Sequence, residues 1–128
     1  MNEKVAYWVG LSDYDLDTAW AMLETKRFLY VGFMCHQCIE KALKAYHSHA
    51  LTSPPAYSHS LSSLARRSEI FDSLSENQLA LIDMLEPLNI EARYPSYKEK
   101  LMKALNYDRC AALIVETTEL QSWIKAKL

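Results

Sequence analysis

Glycine occurs only twice and proline only four times in the 128 residues of this chain. So few of the residues that punctuate turns leave an all-α chain of long helices with short connections, and exclude a turn-rich sandwich or a disordered polymer. Charge of one sign is also lacking. Fourteen basic residues stand against sixteen acidic ones, for a formal charge of −2, which excludes a surface that is everywhere a polyanion magnet but leaves room for a local basic groove. No uncharged run approaches the roughly 18 residues of a membrane span, and the opening Asn2-Glu3-Lys4 does not read as a signal peptide. The expected compartment is therefore the cytoplasm, with no membrane association. Half of the residues are hydrophobic, and the length suits one domain over residues 1–128 with a core of useful size.

Cysteine is scarce as well. Cys35, Cys38 and Cys110 are an odd number, which does not suit a disulfide framework. Cys35-His36-Gln37-Cys38 has the bare spacing of a redox or zinc motif, but the pair falls inside a continuous helical pattern, whereas a redox motif wants a strand before it and a helix starting at the first cysteine. A structural zinc site needs four ligands, and no second Cys/His pair has suitable spacing. Neither a metal nor a cofactor is expected.

Apolar residues at intervals of three or four predict a first helix from about Lys4 to Glu24, with Trp8, Ser12, Leu16, Ala19 and Leu23 inward. A second helix is predicted from Phe28 to His49. One of its stripes carries Val31, Cys35, Cys38, Ala42 and Ala45; another carries Phe33, Gln37, Glu40 and Lys44. The small residues Gly32, Cys35, Cys38, Ala42 and Ala45 would let the first or last helix approach closely. Pro54-Pro55 breaks the pattern and marks the longest loop, 51–58. A short helix is expected over 60–67, followed by a helix beginning at Ser75-Glu76-Asn77-Gln78, where serine and glutamine can satisfy each other's backbone donors. Pro87 should kink or end that helix, and Pro95 drives Tyr94 extended, so the chain leaves helix at Arg93-Tyr94. The last helix is predicted from near Asn106 to Ala126, with Cys110, Leu113, Ile114, Thr117, Leu120 and Ile124 inward.

The second helix is unusual in carrying charged groups on apolar turns. Each has a plain structural explanation: Glu40 and Lys44 as a surface pair four residues apart, His59 as a cap for the helix that follows, Arg93 as a ligand for the last carbonyls of its own helix. Their order along the chain favours a shared role. Trp8, Asp15-Leu16 and Ala19, then Gln37-x-x-Glu40-Lys41-Ala42-Leu43-Lys44-Ala45, then His59-x-Leu61, then Arg93-Tyr94-Pro95, together resemble the HEPN domain family and cover nearly the whole chain.

The resemblance implies an up-and-down helical bundle of about five helices, usually a homodimer, with a polar groove for a nucleotide or RNA. It also implies a minimal nucleotidyltransferase partner in a two-component or toxin-antitoxin pair. The residues expected to bind ligand are Glu40, Lys41, Lys44, His59, Arg93 and Tyr94. In such a groove Arg93 offers a planar fork for phosphate and Lys41 or Lys44 a point charge. Tyr94 can stack on a base, Glu40 can hold either cation, Asp15 can orient a groove residue, and His59 can donate or accept. The family's metal-independent ribonucleases carry arginine, four to six residues, then histidine. This sequence departs from that pattern, because every histidine precedes Arg93 and none follows another arginine at that spacing. A non-catalytic binding module is the primary expectation, and a ribonuclease using His59 and Arg93 is the alternative. The surplus of large apolar residues, including Trp20, Phe28 and Trp123, fits a homodimer.

Overall fold

The scarcity of glycine has a visible counterpart at the ends of helices. In the computed structural model, which describes residues 1–91, 94, 99 and 103–128, α1 spans Glu3–Glu24 and α2 spans Phe28–Ala50. The turn between them closes with Lys26 N–H on the Leu23 carbonyl and Arg27 N–H on the Met22 carbonyl. That is the double bond pattern of a Schellman cap, and its left-handed position, usually glycine, is held by Lys26 at φ 60°. The same device ends α3, Leu61–Arg67. There Glu69 stands at φ 69°, Ile70 N–H reaches the Ala65 carbonyl, and the Ile70 side chain is buried.

Side chains cap the starts of α1, α3 and two later helices, while α2 begins at Arg27 with no side-chain cap. Asn2 accepts from Val5 N–H at 2.9 Å, and Ser60 accepts from Ser63 N–H at 3.2 Å at the head of α3. At the head of α4, Glu76–Leu85, the expected reciprocal pair forms, with Ser75 N–H on Gln78 at 2.8 Å and Gln78 N–H on Ser75 at 3.1 Å. Pro87 follows the end of α4, and a single turn, α5 (Leu88–Glu91), resumes after it. The final helix, α6 (Tyr107–Lys125), is capped by Asn106 on Arg109 N–H at 2.9 Å. Among the described residues there is no strand, and no helix is long and apolar enough to cross a membrane.

α2 is the axle of the bundle and touches each of the other five described α-helices. Its stripe Val31, Cys35, Cys38, Ala42 and Ala45 is fully sealed, and the first four of these meet Ala19 and Leu23 of α1 and Leu113, Ile114 and Ile124 of α6 in one apolar cluster. Burial also decides the chemistry of the two α2 cysteines: removing a thiolate from water is costly, so the Cys35 and Cys38 thiols are pushed up to about 12 and stay protonated. Both are unpaired by disulfide.

Two inward assignments need correction. Trp8 is only half-buried, while Val5 and Ser12 on either side of it on the same face are sealed. Gly32 makes room for α5 and not for the first or last helix: a Cβ at this position would lie 2.7 Å from Leu88 Cδ1.

A buried polar hub joins three helices. Ser12 Oγ of α1 donates to the Cys38 carbonyl of α2 at 2.7 Å and accepts from Gln121 Nε2 of α6 at 3.0 Å. Gln121 also donates to Asp13 at 2.9 Å, as does Lys125 Nζ.

Candidate functional site

His36, Glu40 and Lys44 follow one another at steps of four, so they stack on one face of α2. All three are buried. Glu40 is the centre of the group. Its Oε1 accepts from His59 Nδ1 at 2.9 Å and its Oε2 accepts from Lys44 Nζ at 3.4 Å. An ionised carboxylate can only accept, so this contact puts the proton of His59 on Nδ1 and leaves Nε2 on the far side of the ring. The Lys44 ammonium also sits 5.3 Å from the centroid of the Trp8 ring, a second favourable contact for a cation drawn out of water.

His59 reaches Glu40 because Ser60 caps α3 and so fixes the residue before it against α2. The start of α3 is pinned by Glu86, whose carboxylate accepts from Leu61 N–H at 2.6 Å and from Ser60 Oγ at 3.2 Å. A carboxylate at the N-terminus of a helix satisfies donors that have no partner within the helix. His59 remains 60% exposed at the side chain and, with Ser60, Glu86, Pro87 and Asn89, lines a small surface recess.

His36 lies fully enclosed behind this pair. Gln37 Nε2 lies 3.4 Å from its Nδ1, and an amide nitrogen donates, which places the imidazole proton on Nε2. That nitrogen has no hydrogen-bond partner among the described residues. Burial lowers the His36 pKa from its ordinary value, and the nearby carboxylates of Glu40 and Glu86 oppose the shift.

Of the six expected ligand-binding residues, Glu40, Lys44 and His59 form one connected group. Lys41 turns to α1, where its ammonium binds Asp15 at 3.1 Å, and it also binds Gln37 Oε1 of its own helix at 2.9 Å; Gln37 in turn donates to Asn89 at 3.1 Å. Tyr94 is exposed, and Arg93 lies outside the described residues. His36 and Glu86 were not singled out from the sequence. His36 stands four residues before Glu40 and could have been found by extending the polar stripe one turn; nothing local marks Glu86, whose partners are 25 and 26 residues away.

The family model of the HEPN domain matches residues 5–127. The chain belongs to the HEPN domain family. The crystal structure of TT1696 from Thermus thermophilus is similar in fold, with a TM-score of 0.84 and 17% identity, covering 99% of this chain and 100% of that one. Among curated proteins none matches the sequence. The matched span includes Glu40, Lys44, His59 and Arg93.

Proposed function

We propose that this HEPN domain is a non-catalytic module that binds a nucleotide or an RNA segment, working in the cytoplasm as a homodimer beside a minimal nucleotidyltransferase in a two-component or toxin-antitoxin-like pair. Membership in the family supports a nucleotide- or RNA-related role. The observation that carries the reading is the grip of buried Glu40 on both Lys44 and the exposed His59. With Nδ1 held by Glu40, Nε2 can donate to an anion in the recess only when the ring carries both protons, and orientation made in advance reduces the ordering cost of that contact. Arg93, two residues past Glu91 in the chain, would add the phosphate fork and Tyr94 an exposed ring, whereas the Lys41 ammonium is committed to Asp15.

Calorimetric titration of the full chain with a mononucleotide and a short RNA tests this directly. Arg93→Ala and His59→Ala are each expected to weaken binding by at least about 1.5 kcal/mol, the scale of a charge-assisted hydrogen bond, with helical content unchanged. Absence of binding by the unaltered protein would end the proposal. Light scattering is expected to give twice the chain mass.

One observation favours a second reading. A histidine whose Nδ1–H rests on a buried carboxylate has the arrangement of a general base, with Nε2 turned toward the ligand. In a metal-independent ribonuclease His59 would move the proton of a 2′-hydroxyl or leaving group while Arg93 stabilised charge on the phosphate. RNA cleavage in chelator, lost in His59→Ala, would establish that reading over the binding-only one.

A further inference from the structure

Met84 is 48% exposed on a helix, α4, whose other large apolar side chains are covered wholly or in part. It lines a groove of about 540 Å³ between α4 and α6. Leu81 and Leu120, both buried, and the half-buried Trp123 line it too. On each helix the lining extends from Asn77 to Met84 and from Glu116 to Trp123, about two turns. The carboxylates of Glu116 and Glu119 complete the lining. Both residues are exposed, and neither carboxylate has an ion-pair or hydrogen-bond partner among the described residues. Residues 76–86 and 110–124, the stretches of the two helices around the groove, hold five acidic residues and no lysine or arginine. Lys127 lies 4.3 Å from the Trp123 ring centroid without lining the groove, and so shows that this indole accepts a cation.

Charge decides which occupant the groove fits. A second copy presenting the same face would bring Glu116 and Glu119 against their own counterparts, and like charges across a contact are unfavourable. A partner that carries cations beside its apolar residues meets the opposite situation. We infer that the groove between α4 and α6 docks a cationic amphipathic helix of another protein, with apolar residues seated on Leu81, Met84, Leu120 and Trp123 and lysines or arginines paired with Glu116 and Glu119. A lining two turns long matches the spacing of apolar anchors in helix-in-groove recognition, and the flexible thioether of Met84 can adapt to the incoming side chain. The inference goes beyond the nucleotide-binding reading and does not depend on it, since the groove shares no lining residue with the His59 recess. The homodimer proposed above uses another face.

The test uses a fluorescein-labelled synthetic peptide of about four helical turns, with leucines along one face and lysines on both flanks, followed by anisotropy as full-length protein is added. One control peptide has the same composition with its leucines scattered around the helix; another has glutamate in place of lysine. The patterned peptide is expected to bind at least about tenfold more tightly than either control. Ala80→Arg places a cation in the groove from an exposed helical position and should weaken binding at least about tenfold. Glu116→Gln combined with Glu119→Gln should weaken it roughly fivefold and flatten its dependence on salt. All three positions are exposed, so circular dichroism should show unchanged helix content in both variants. Absence of binding, or equal binding of the patterned and scattered peptides, overturns the docking site, the second outcome leaving only attraction between net charges. Unchanged affinity in both variants overturns it as well, because the peptide then sits elsewhere. Light scattering that finds a dimer for the unaltered chain and a monomer for Ala80→Arg would assign the groove to contact between copies and overturn the inference.

Discussion

Glu40 and Glu86 face opposite nitrogens of one buried imidazole: Glu40 Oε1 lies 3.9 Å from His36 Nδ1, and Glu86 Oε1 lies 3.9 Å from His36 Nε2. Neither distance is a hydrogen bond. The ring is thus held neutral between two carboxylates that are occupied elsewhere, one with His59 and Lys44 and the other with the head of α3.

That arrangement makes the fold sensitive to acid. Burial, the dominant cause, places the folded pKa of His36 below its ordinary 6.5, so below that pH the unfolded chain binds a proton that the folded chain refuses. Stability from this residue is complete above pH 6.5 and is lost as pH falls from there toward the folded value. Denaturant midpoints measured across this range are expected to decline less steeply in His36→Phe than in the unaltered protein. Parallel curves would mean that His36 does not contribute to the acid limb.

Removing Glu40 should be costly for a reason that a second substitution exposes. Glu40→Ala strands the Lys44 ammonium, which is 10% exposed at the side chain, and an uncompensated buried charge costs about 3–5 kcal/mol. The double variant Glu40→Ala with Lys44→Met removes the stranded charge and is expected to regain at least half of that loss in urea unfolding. A double variant as unstable as the single one would locate the cost in packing instead.

Lys26 and Glu69 hold left-handed backbone where glycine is usual. Since that conformation disfavours a residue with a Cβ, Lys26→Gly and Glu69→Gly are each expected to stabilise the fold by about 0.5–1 kcal/mol, or roughly 2–4 °C in Tm for a chain of this size. Both sites lie outside the Glu40 group, so nucleotide titrations should not change. Lower Tm values in both variants would refute the strain argument.

Gly32 and Leu88 provide a coupled pair. Gly32→Ala introduces a methyl group against Leu88 Cδ1 and is expected to cost about 1–2 kcal/mol, overpacking outweighing the better helix propensity of alanine. In a Leu88→Ala background the clash is gone, and the same substitution should become stabilising by about 1 kcal/mol. A thermodynamic cycle with no coupling would show that α5 shifts freely to accommodate the methyl.

Periodicity and capping made most of this architecture legible in advance. The α2 stripe, the Ser75–Gln78 caps and the Asn106 start needed only local rules, because they depend on residues three or four apart. Trp8 and Gly32 were misassigned because spacing tells which face a residue occupies and not what lies opposite: Leu88 arrives from a helix 56 residues later, and no element among the described residues seals Trp8. The site was readable in the same proportion. Glu40 and Lys44 stand out as charge on an apolar helix, and the resemblance supplied His59. Glu86 was invisible, since its contacts depend on where the turn after α4 meets the head of α3.

The Ser12 hydroxyl has a consequence for how the helices can slide. Apolar stripes recur at each turn, so a helix displaced along its axis by one turn, about 5.4 Å, would still find greasy surface to cover. It would not find a second Ser12. Displacing either α2 or α6 would leave the Cys38 carbonyl, the Gln121 amide or the hydroxyl itself without a partner in a sealed interior, at about 1–3 kcal/mol for each orphaned group. One hydroxyl thereby sets the height of three helices, and the level at which Glu40 meets His59 is fixed in part by a contact on a different face of the same helix.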